Sequence, residues 1–252
     1  MLRDAIYGVA VADALGVPFE FKERGSFNCT GMSGQGTWNQ EPGTWSDDTS
    51  LCLATCKSIK DKGGIDINDM RKNFRMWLFE NKFTAAGETF DVGHTTKTAL
   101  TSGQGLDDYY SNGNGSLMRI IPLAFLNVSD DDIKAVSAIT HGHKISMEAC
   151  VKYVHIAKKL LRGEEVLYDV KQPIKSGGFV EDTFNAAMYC IKTTTSYREA
   201  VLKAVNLGDD TDTTGAVTGG LAGIIYGYDA IPREWLEVLK NKELIEECLF
   251  KI

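Results

Sequence analysis

The stretch Gly208-Asp-Asp-Thr-Asp-Thr-Thr-Gly-Ala-Val-Thr-Gly-Gly-Leu-Ala-Gly-Ile-Ile-Tyr-Gly227 decides the fold. Its apolar and small residues predict a buried helix over about 212–227. Three glycines recur every four residues and form one stripe along this helix: Gly215, Gly219 and Gly223. Each glycine lowers helix stability by about 1 kcal/mol relative to alanine, so the stripe predicts the close approach of a second helix. The acidic start of the helix, at Asp210 and Asp212, is then expected to be held rigidly in the protein interior.

A second acidic cluster, Trp45-Ser-Asp-Asp-Thr-Ser50, opens another segment with a helical pattern, 47–61. Carboxylates flanked by hydroxyl groups offer the oxygen ligands that Mg²⁺ and Mn²⁺ prefer, and no His or Cys lies nearby for zinc. The alternative is helix capping, for which Ser, Asp and Thr are the favoured residues. Capping would be the better interpretation of one cluster alone. Two clusters of similar composition, both at helix starts, favour a shared metal site.

Helical periodicity dominates the rest of the chain, and strand alternation is scarce. Only 17–22 and 166–170 could be extended, and five prolines in 252 residues suit long helices. The sequence therefore predicts an all-α fold, with 1–252 as one compact multi-helix domain. The predicted helices are 2–15, 47–61, 67–80, 92–102, 130–140, 144–162, 180–192, 197–206, 212–227 and 233–250.

Composition excludes several classes of partner. The net charge of −7 and the absence of a Lys/Arg run disfavour duplex nucleic acid. No apolar stretch is long enough to span a bilayer, and the N-terminus lacks the apolar core of a signal peptide. The six cysteines show neither CxxC pairs nor zinc spacing, which indicates buried thiols in a reducing compartment. We therefore expect a cytoplasmic protein; its oligomeric state is open, with a monomer as the default.

Three further segments carry polar side chains that could take part in chemistry. The loop Tyr110–Arg119 contains Asn112-Gly-Asn-Gly115, which predicts either an anion-binding nest of left-handed residues or a simple turn. A helix starting near Ser116 would add its positive end to such a nest. In Thr140-His141-Gly-His143 the two histidines do not share a helical face, but one of them could contact a ligand. Glu20 follows a helix that breaks at Gly16-Val-Pro18 and could serve as a general base.

Other families were weighed on their motifs. Gly31-Met-Ser-Gly-Gln-Gly36 follows no buried strand, so a dinucleotide-binding fold is disfavoured. Asp47-Asp-Thr-Ser50 lacks the last aspartate of the DDxxD motif of prenyl transferases and terpene cyclases. An HD-type phosphohydrolase would need a His-Asp dipeptide, and the sequence contains none.

Taken together and in this order, six segments resemble the ADP-ribosylglycohydrolase family. That family includes dinitrogenase reductase-activating glycohydrolase, ADP-ribosylarginine hydrolases and the J1 crystallins. The similarity covers nearly the whole chain. The segments are Asp13-Ala-Leu-Gly-Val-Pro-Phe-Glu20, Trp45-Ser-Asp-Asp-Thr49, Asp91-Val-Gly-His-Thr-Thr96, Asn112-Gly-Asn-Gly-Ser-Leu-Met-Arg119, Thr140-His141 and Asn206-Leu-Gly-Asp-Asp-Thr-Asp-Thr-Thr-Gly-Ala216.

The resemblance implies an all-α fold with two Mg²⁺ or Mn²⁺ ions in a central cleft. Glu20 would act on the scissile bond, and Asp48 and Asp212 would be essential to catalysis as metal ligands. Asp91 would pair with a guanidinium leaving group, and His141 would lie against the ligand. The implied metal ligands are Ser46, Asp47, Asp48, Asp210, Asp212 and Thr213. The implied contacts to the diphosphate and distal ribose are Ser111, Asn112, Gly113, Asn114 and Gly115, with Met118 as a further substrate contact.

The implied activity is metal-dependent hydrolysis of the glycosidic bond between ADP-ribose and an acceptor, most readily arginine on a protein. Serine-linked ADP-ribose, O-acetyl-ADP-ribose or another derivative are alternative substrates. A non-catalytic, crystallin-like binder of ADP-ribose is a further alternative. Three residues depart from the family pattern: Asp209 replaces a glycine, Ser46 replaces a common Thr, and His94 replaces a frequent Asn.

Overall fold

The computed structural model describes residues 1–251 and contains eleven α-helices and no β-strand in that range. The predicted all-α fold is confirmed. The prediction of one domain over 1–252 stays a prediction, and Ile252 lies outside the described residues. The helices are α1 (Leu2–Gly16), α2 (Asp47–Lys62), α3 (Ile67–Glu80), α4 (His94–Ser102), α5 (Asp130–Ser137), α6 (Lys144–Leu161), α7 (Val180–Lys192), α8 (Tyr197–Val205), α9 (Thr211–Tyr226), α10 (Arg233–Val238) and α11 (Lys242–Cys248).

All ten segments predicted as helical contain helices, but the last one, 233–250, is divided between α10 and α11. The break occurs where Gly43 packs against the chain: a Cβ on Gly43 would lie 2.2 Å from the Val238 carbonyl oxygen. Asn241 then adopts a positive φ of 43°, which no regular helix accommodates. The possible strands are wrong, because Val17–Phe19 is a short 3₁₀ helix and 166–170 has no regular structure.

The glycine stripe brings α9 into direct backbone contact with α1. A Cβ on Gly219 would lie 2.2 Å from the carbonyl oxygen of Gly8, and one on Gly223 would lie 2.2 Å from that of Asp4. These distances leave no room for a larger residue, so the predicted close approach is confirmed. Every residue of α9 from Thr211 to Gly223 is buried, as expected for a helix at the centre of an all-α fold.

The same packing fixes the start of α9 against the end of α1. A Cβ on Gly16 would lie only 2.3 Å from the Asp212 Cα atom. The Thr211 hydroxyl donates a hydrogen bond of 2.8 Å to the Gly16 carbonyl oxygen. The acidic residues at the start of α9 are therefore attached to rigid, buried backbone.

Two further predictions concern the chain as a whole. Within residues 1–251 no helix is long and apolar enough to cross a membrane. All six cysteines are free and buried, in agreement with the predicted thiols.

Candidate metal centre and substrate cleft

Asp13, in the last turn of α1, organises the first turn of α2. Its buried carboxylate accepts hydrogen bonds from the backbone N–H groups of Ser46 (2.9 Å) and Thr49 (3.0 Å), and from the Thr49 hydroxyl (2.6 Å). An external carboxylate thus caps the helix and fixes its acidic start. The sequence showed Asp13 only as part of a motif. Its signal is an acid that follows the apolar run Val9–Ala12 near the end of α1, which in retrospect identifies a buried structural carboxylate.

The two acidic clusters, about 160 residues apart in sequence, meet at the starts of α2 and α9. The Asp48 carboxylate accepts hydrogen bonds from the Ser46 hydroxyl (3.1 Å) and from the Thr213 hydroxyl (3.3 Å). Two groups of three carboxylates each have oxygen atoms within 4.8 Å of one another, and Asp212 belongs to both groups. The groups are Asp13, Asp48 and Asp212, and Glu20, Asp210 and Asp212.

The buried carboxylates of this cluster repel one another and are costly to keep charged. Burial, followed by neighbouring carboxylates, raises the pKa of Asp47, Asp48 and Asp212 well above the ordinary range. Asp48 Oδ1 and Asp212 Oδ2 are buried and have no hydrogen-bond partner in the described chain. Unpaired buried carboxylate oxygens are rare in proteins, and the two oxygens here are free to serve as ligands of a cation. With only oxygen donors, the set fits hard divalent cations such as Mg²⁺ or Mn²⁺.

Part of the acid cluster faces a cleft of about 240 Å³, whereas Asp48 and Asp212 are not among the residues that line it. Glu20, Asp47, Asp91 and Asp210 line one part of it, and no Lys or Arg appears among the lining residues of the described chain. The remaining lining residues are Phe21, Gly93, His94, Thr95, Thr96, Gly113, Asn114, Gly115, Met118, His141 and Thr213.

Glu20 and Asp91 lie close together in the lining of this cleft. Burial and the neighbouring Asp91 raise the pKa of Glu20 to about 9, and burial raises the pKa of Asp91 to about 6. The indole N–H of Trp38 donates to Glu20 Oε2 and fixes this carboxylate. Aromatic residues flank both acids: the Trp38 ring lies 6.2 Å from the ring of Phe21 and 5.7 Å from that of Phe90. Of these three rings only Phe21 lines the cleft, and it is 67% exposed, so it presents an aromatic rim beside the two carboxylates.

The loop expected to hold the diphosphate is divided between cleft and core. Gly113, Asn114 and Gly115 line the cleft. Ser111 and Asn112 lie outside it: the Ser111 hydroxyl donates to Asp108 Oδ2 (2.6 Å), and Asn112 Oδ1 accepts a hydrogen bond from the Ser146 hydroxyl (2.9 Å). These two side chains hold the loop in place rather than facing the cleft.

The backbone of this loop differs from the predicted nest. Neither Gly113 nor Gly115 is among the residues with positive φ, so the alternating left-handed conformation is wrong. No α-helix begins near Ser116, where the chain forms turns followed by a 3₁₀ helix at Ile121–Phe125. The glycines instead make room for an imidazole ring, since a Cβ on Gly115 would lie 2.9 Å from His141 Cε1. These glycines are therefore required by the lack of space beside His141 and not by a left-handed backbone conformation.

Of the two clustered histidines, only His141 lines the cleft. Burial, followed by the nearby Arg119 charge, lowers the pKa of His141 to about 3, so its ring is neutral. His143 lies outside the cleft lining. It caps α6 by accepting from the Ile145 N–H group (3.3 Å) and contacts the Asn112 side chain.

The three departures from the family pattern have different consequences. Asp209 is exposed, lies outside the cleft lining, and has a φ of 59°, a conformation that favours glycine. Its backbone pairs with Phe21 and Lys22 through hydrogen bonds of 2.6 and 2.9 Å. His94 does line the cleft, at the start of α4. Ser46 retains the hydroxyl oxygen expected of a ligand.

Comparisons with known proteins agree with this geometry. The chain matches the family profile described as ADP-ribosylglycohydrolase over residues 2–177 and 165–251. It is 31% identical to an ADP-ribosylarginine hydrolase, Tri1, of Serratia proteamaculans (strain 568), across 96% of this chain and 76% of that protein. It is 31% identical to the ADP-ribosyl-[dinitrogen reductase] glycohydrolase of Rhodospirillum rubrum, across 94% and 90% of the two chains. A solved structure titled ADP-ribosylglycohydrolase-related protein complex superposes with a TM-score of 0.84 at 30% identity, covering 98% of this chain and 95% of the other. The chain therefore belongs to the ADP-ribosylglycohydrolase family.

Proposed function

We propose that this protein hydrolyses the glycosidic bond between ADP-ribose and the guanidinium group of an arginine, most readily on an ADP-ribosylated protein. One observation carries the proposal: the oxygen-rich acid cluster opens into the same cleft as the Glu20 and Asp91 carboxylates. The relatives whose names specify arginine or dinitrogen reductase support the choice of substrate. The free thiols suit a reducing cytoplasm.

We propose further that two divalent cations occupy the acid cluster. The number follows the family resemblance, and the presence of two clusters of three acids that share Asp212 is consistent with it, although Asp13 and Glu20 have other proposed roles. When bound, the cations supply positive charge that stabilises negative charge developing on oxygen during hydrolysis. The proposed ligands, assigned from the family resemblance and from the clustering at α2 and α9, are Ser46, Asp47, Asp48, Asp210, Asp212 and Thr213.

Glu20 is the proposed general base. Its carboxylate lies at the cleft, is fixed by the Trp38 indole, and has a pKa raised to about 9 by burial and by Asp91. Nearby cations would lower the pKa of Glu20 toward about 7. Near that pKa a large share of Glu20 is ionised at neutral pH, and the ionised form is still basic enough to accept a proton. Glu20 thereby orients and deprotonates the attacking water.

The rim of the cleft suits a planar cation as the leaving group. A guanidinium group can pair with the Asp91 carboxylate while its face stacks on an exposed aromatic ring such as Phe21. Neither a serine hydroxyl nor an acetyl group gains from this combination of negative charge and aromatic surface. The rim thus favours arginine-linked ADP-ribose over the alternative linkages.

The remaining cleft wall suits the ADP-ribose part of the substrate. This wall is formed by the loop residues Gly113, Asn114 and Gly115 and by Met118. The two glycines expose backbone, and the His141 ring lies behind them. The wall holds the sugar carbon near the water oriented by Glu20, and this positioning lowers the entropic barrier to attack.

A substrate panel tests the proposal. Arginine-, serine- and O-acetyl-linked ADP-ribose are incubated with the protein in Mg²⁺, in Mn²⁺ and in excess EDTA. We expect release of ADP-ribose from the arginine linkage only with a divalent cation. Full activity in EDTA would contradict the metal centre, and cleavage of only the other linkages would contradict the substrate. Thermal stabilisation by ADP-ribose without hydrolysis of any linkage would identify a non-catalytic binder.

A further inference from the structure

Arg119 is a fully buried cation that the proposed reaction does not use. Its side chain is 0% exposed, and among the described residues no carboxylate forms a salt bridge with it. The guanidinium carbon lies 4.7 Å from the centre of the Phe74 ring. Burial of a charge without a paired acid is unfavourable, and burial lowers the pKa of Arg119 to about 10. Because this buried charge is unfavourable for stability, we expect its hydrogen bonds to serve the function of the site.

The guanidinium group contacts both structures that form one wall of the cleft. Its Nη1 donates to the Gly115 carbonyl oxygen in the glycine loop. Its Nη2 donates to the Thr140 hydroxyl at 2.9 Å and, more weakly, to the Val136 carbonyl oxygen at 3.4 Å. One rigid, planar group thus ties the glycine loop to the turn that carries His141.

The hydrogen bonds beyond Arg119 determine which nitrogen of His141 carries its proton. Thr140 Oγ1 lies 2.7 Å from His141 Nδ1. Arg119 can only donate, so the Thr140 hydroxyl accepts from it, and the hydroxyl hydrogen must be directed elsewhere. Within the described chain, His141 Nδ1 is the only other partner of this hydroxyl. Nδ1 is therefore the acceptor, and the ring hydrogen is on Nε2.

Nε2 faces the glycine loop at the cleft. A Cβ on Gly113 would lie 3.5 Å from His141 Nε2, and a Cβ on Gly115 would lie 2.9 Å from the adjacent Cε1. The absence of side chains at these two positions leaves the Nε2–H group accessible from the cleft. A hydrogen-bond donor at this place meets the oxygen atoms of a bound sugar or phosphate.

We propose that Arg119 and Thr140 are positioning residues that hold His141 as a neutral donor, with its hydrogen on Nε2, for an oxygen atom of ADP-ribose. The inference rests on the proposed function for the identity of the ligand. The Nδ1–H tautomer would turn a lone pair toward the cleft and repel ligand oxygen atoms. The Arg119–Thr140 pair prevents this by occupying Nδ1 with a donor.

Two substitutions of Thr140 separate positioning from packing. Thr140→Val keeps the shape and removes the hydroxyl, whereas Thr140→Ser keeps the hydroxyl and removes a methyl group. Long-range ¹H–¹⁵N spectra of the imidazole rings report the tautomer directly, and the chain has only four histidines. His141→Gln assigns the signals of His141, and the surface residue His155 is an internal control.

In the wild-type protein we expect His141 Nε2 to be protonated and Nδ1 to be unprotonated. Thr140→Val should populate the other tautomer and weaken ADP-ribose binding about 10-fold, as expected for loss of one hydrogen bond. Thr140→Ser should retain the wild-type tautomer and an affinity within about 2-fold. The His155 signals should be the same in all three proteins.

Two results would overturn the inference: a wild-type His141 protonated on Nδ1, or a folded Thr140→Val protein with unchanged tautomer and affinity. If Thr140→Val does not fold, the His141 tautomer of the wild-type protein and of Arg119→Lys, which loses the planar guanidinium, tests the inference instead. Calorimetric titration with ADP-ribose and the ring spectra require no hydrolysis. A protein with the expected tautomer that cleaves no arginine linkage would refute the proposed function and leave this inference intact.

Discussion

Substitution of Gly16 by alanine should couple the packing of two helices to the affinity of the metal centre. Gly16 is the last residue of α1, and a Cβ there would lie 2.3 Å from Asp212 Cα and 2.5 Å from Asp212 N. Ordinary contact begins at about 3.4 Å, so the two backbones must separate by about 1.1 Å. The obstructing atoms are backbone, and no rotamer change can relieve the overlap.

The expected effect on stability is moderate, but the effect on metal binding is large. Overpacking destabilises a protein by about 1–3 kcal/mol, and the higher helix propensity of alanine offsets up to about 1 kcal/mol of this. Metal–ligand distances tolerate about 0.2 Å, several-fold less than the required displacement of Asp212. We therefore expect the Mg²⁺ or Mn²⁺ affinity of Gly16→Ala to fall about 10- to 100-fold, the range found when residues that orient ligands are changed.

Urea unfolding without metal and calorimetric titration with Mn²⁺ measure the two effects separately. Gly64→Ala is the matched control, because a Cβ at Gly64 meets no atom within 4 Å and its φ is not left-handed. The control should match the wild type in both assays. A Gly16→Ala protein with wild-type metal affinity would refute the idea that this contact sets the position of Asp212.

Three other predictions follow from the acid cluster. Asp48→Asn or Asp212→Asn should each lower turnover of the arginine-linked substrate by at least about 10³-fold, since several kcal/mol of stabilisation by the proposed cations is lost. In metal-free urea unfolding both variants should be more stable than the wild type, because a neutral amide replaces a buried acid. Unchanged turnover would contradict the ligand assignment. Asp209→Asn should retain activity within about 2-fold in the same assay, because Asp209 is exposed and outside the cleft lining; a large loss would make it part of the site. Burial raises the pKa of Asp13 to about 7, and burial together with Asp91 raises that of Glu20 to about 9. The folded state therefore binds these protons more tightly than the unfolded chain does. The urea midpoint of the metal-free protein should be highest near pH 4 and fall from there as the pH rises through 7 to 9, and saturating Mg²⁺ should flatten this dependence. A metal-free midpoint that rises over this range would contradict the shifts.

The helices and the paired acidic clusters could be predicted from the sequence because their signals are local. Helical periodicity located every helix, and the glycine stripe at Gly215, Gly219 and Gly223 predicted the backbone contact between α9 and a second helix. It did not identify α1 as that helix. Gly8 and Gly16 complete the contact, but the sequence identified Gly16 only as the point where a helix breaks.

The loop before Arg119 shows where local reasoning failed. Alternating Asn and Gly suggested left-handed backbone, but the structure uses the glycines for their small volume against His141. A glycine selected by contact with a distant ring cannot be distinguished in sequence from one selected by its φ. Ser111 and Asn112 match a substrate-binding motif and form hydrogen bonds with Asp108 and Ser146, so their contact with the substrate stays a prediction.

The sequence by itself determined the class of fold, the starts of the helices and the chemistry of the oxygen-rich clusters, because these depend on residue type and on spacing along the chain. Only the tertiary structure decided that Asp13 supports the start of α2, that Asp209 faces solvent, and that a buried Arg119 lies behind His141. These features depend on contacts between residues far apart in sequence. Burial and the neighbouring charges then set the pKa values and hydrogen bonds of the site, and both arise only when the helices pack.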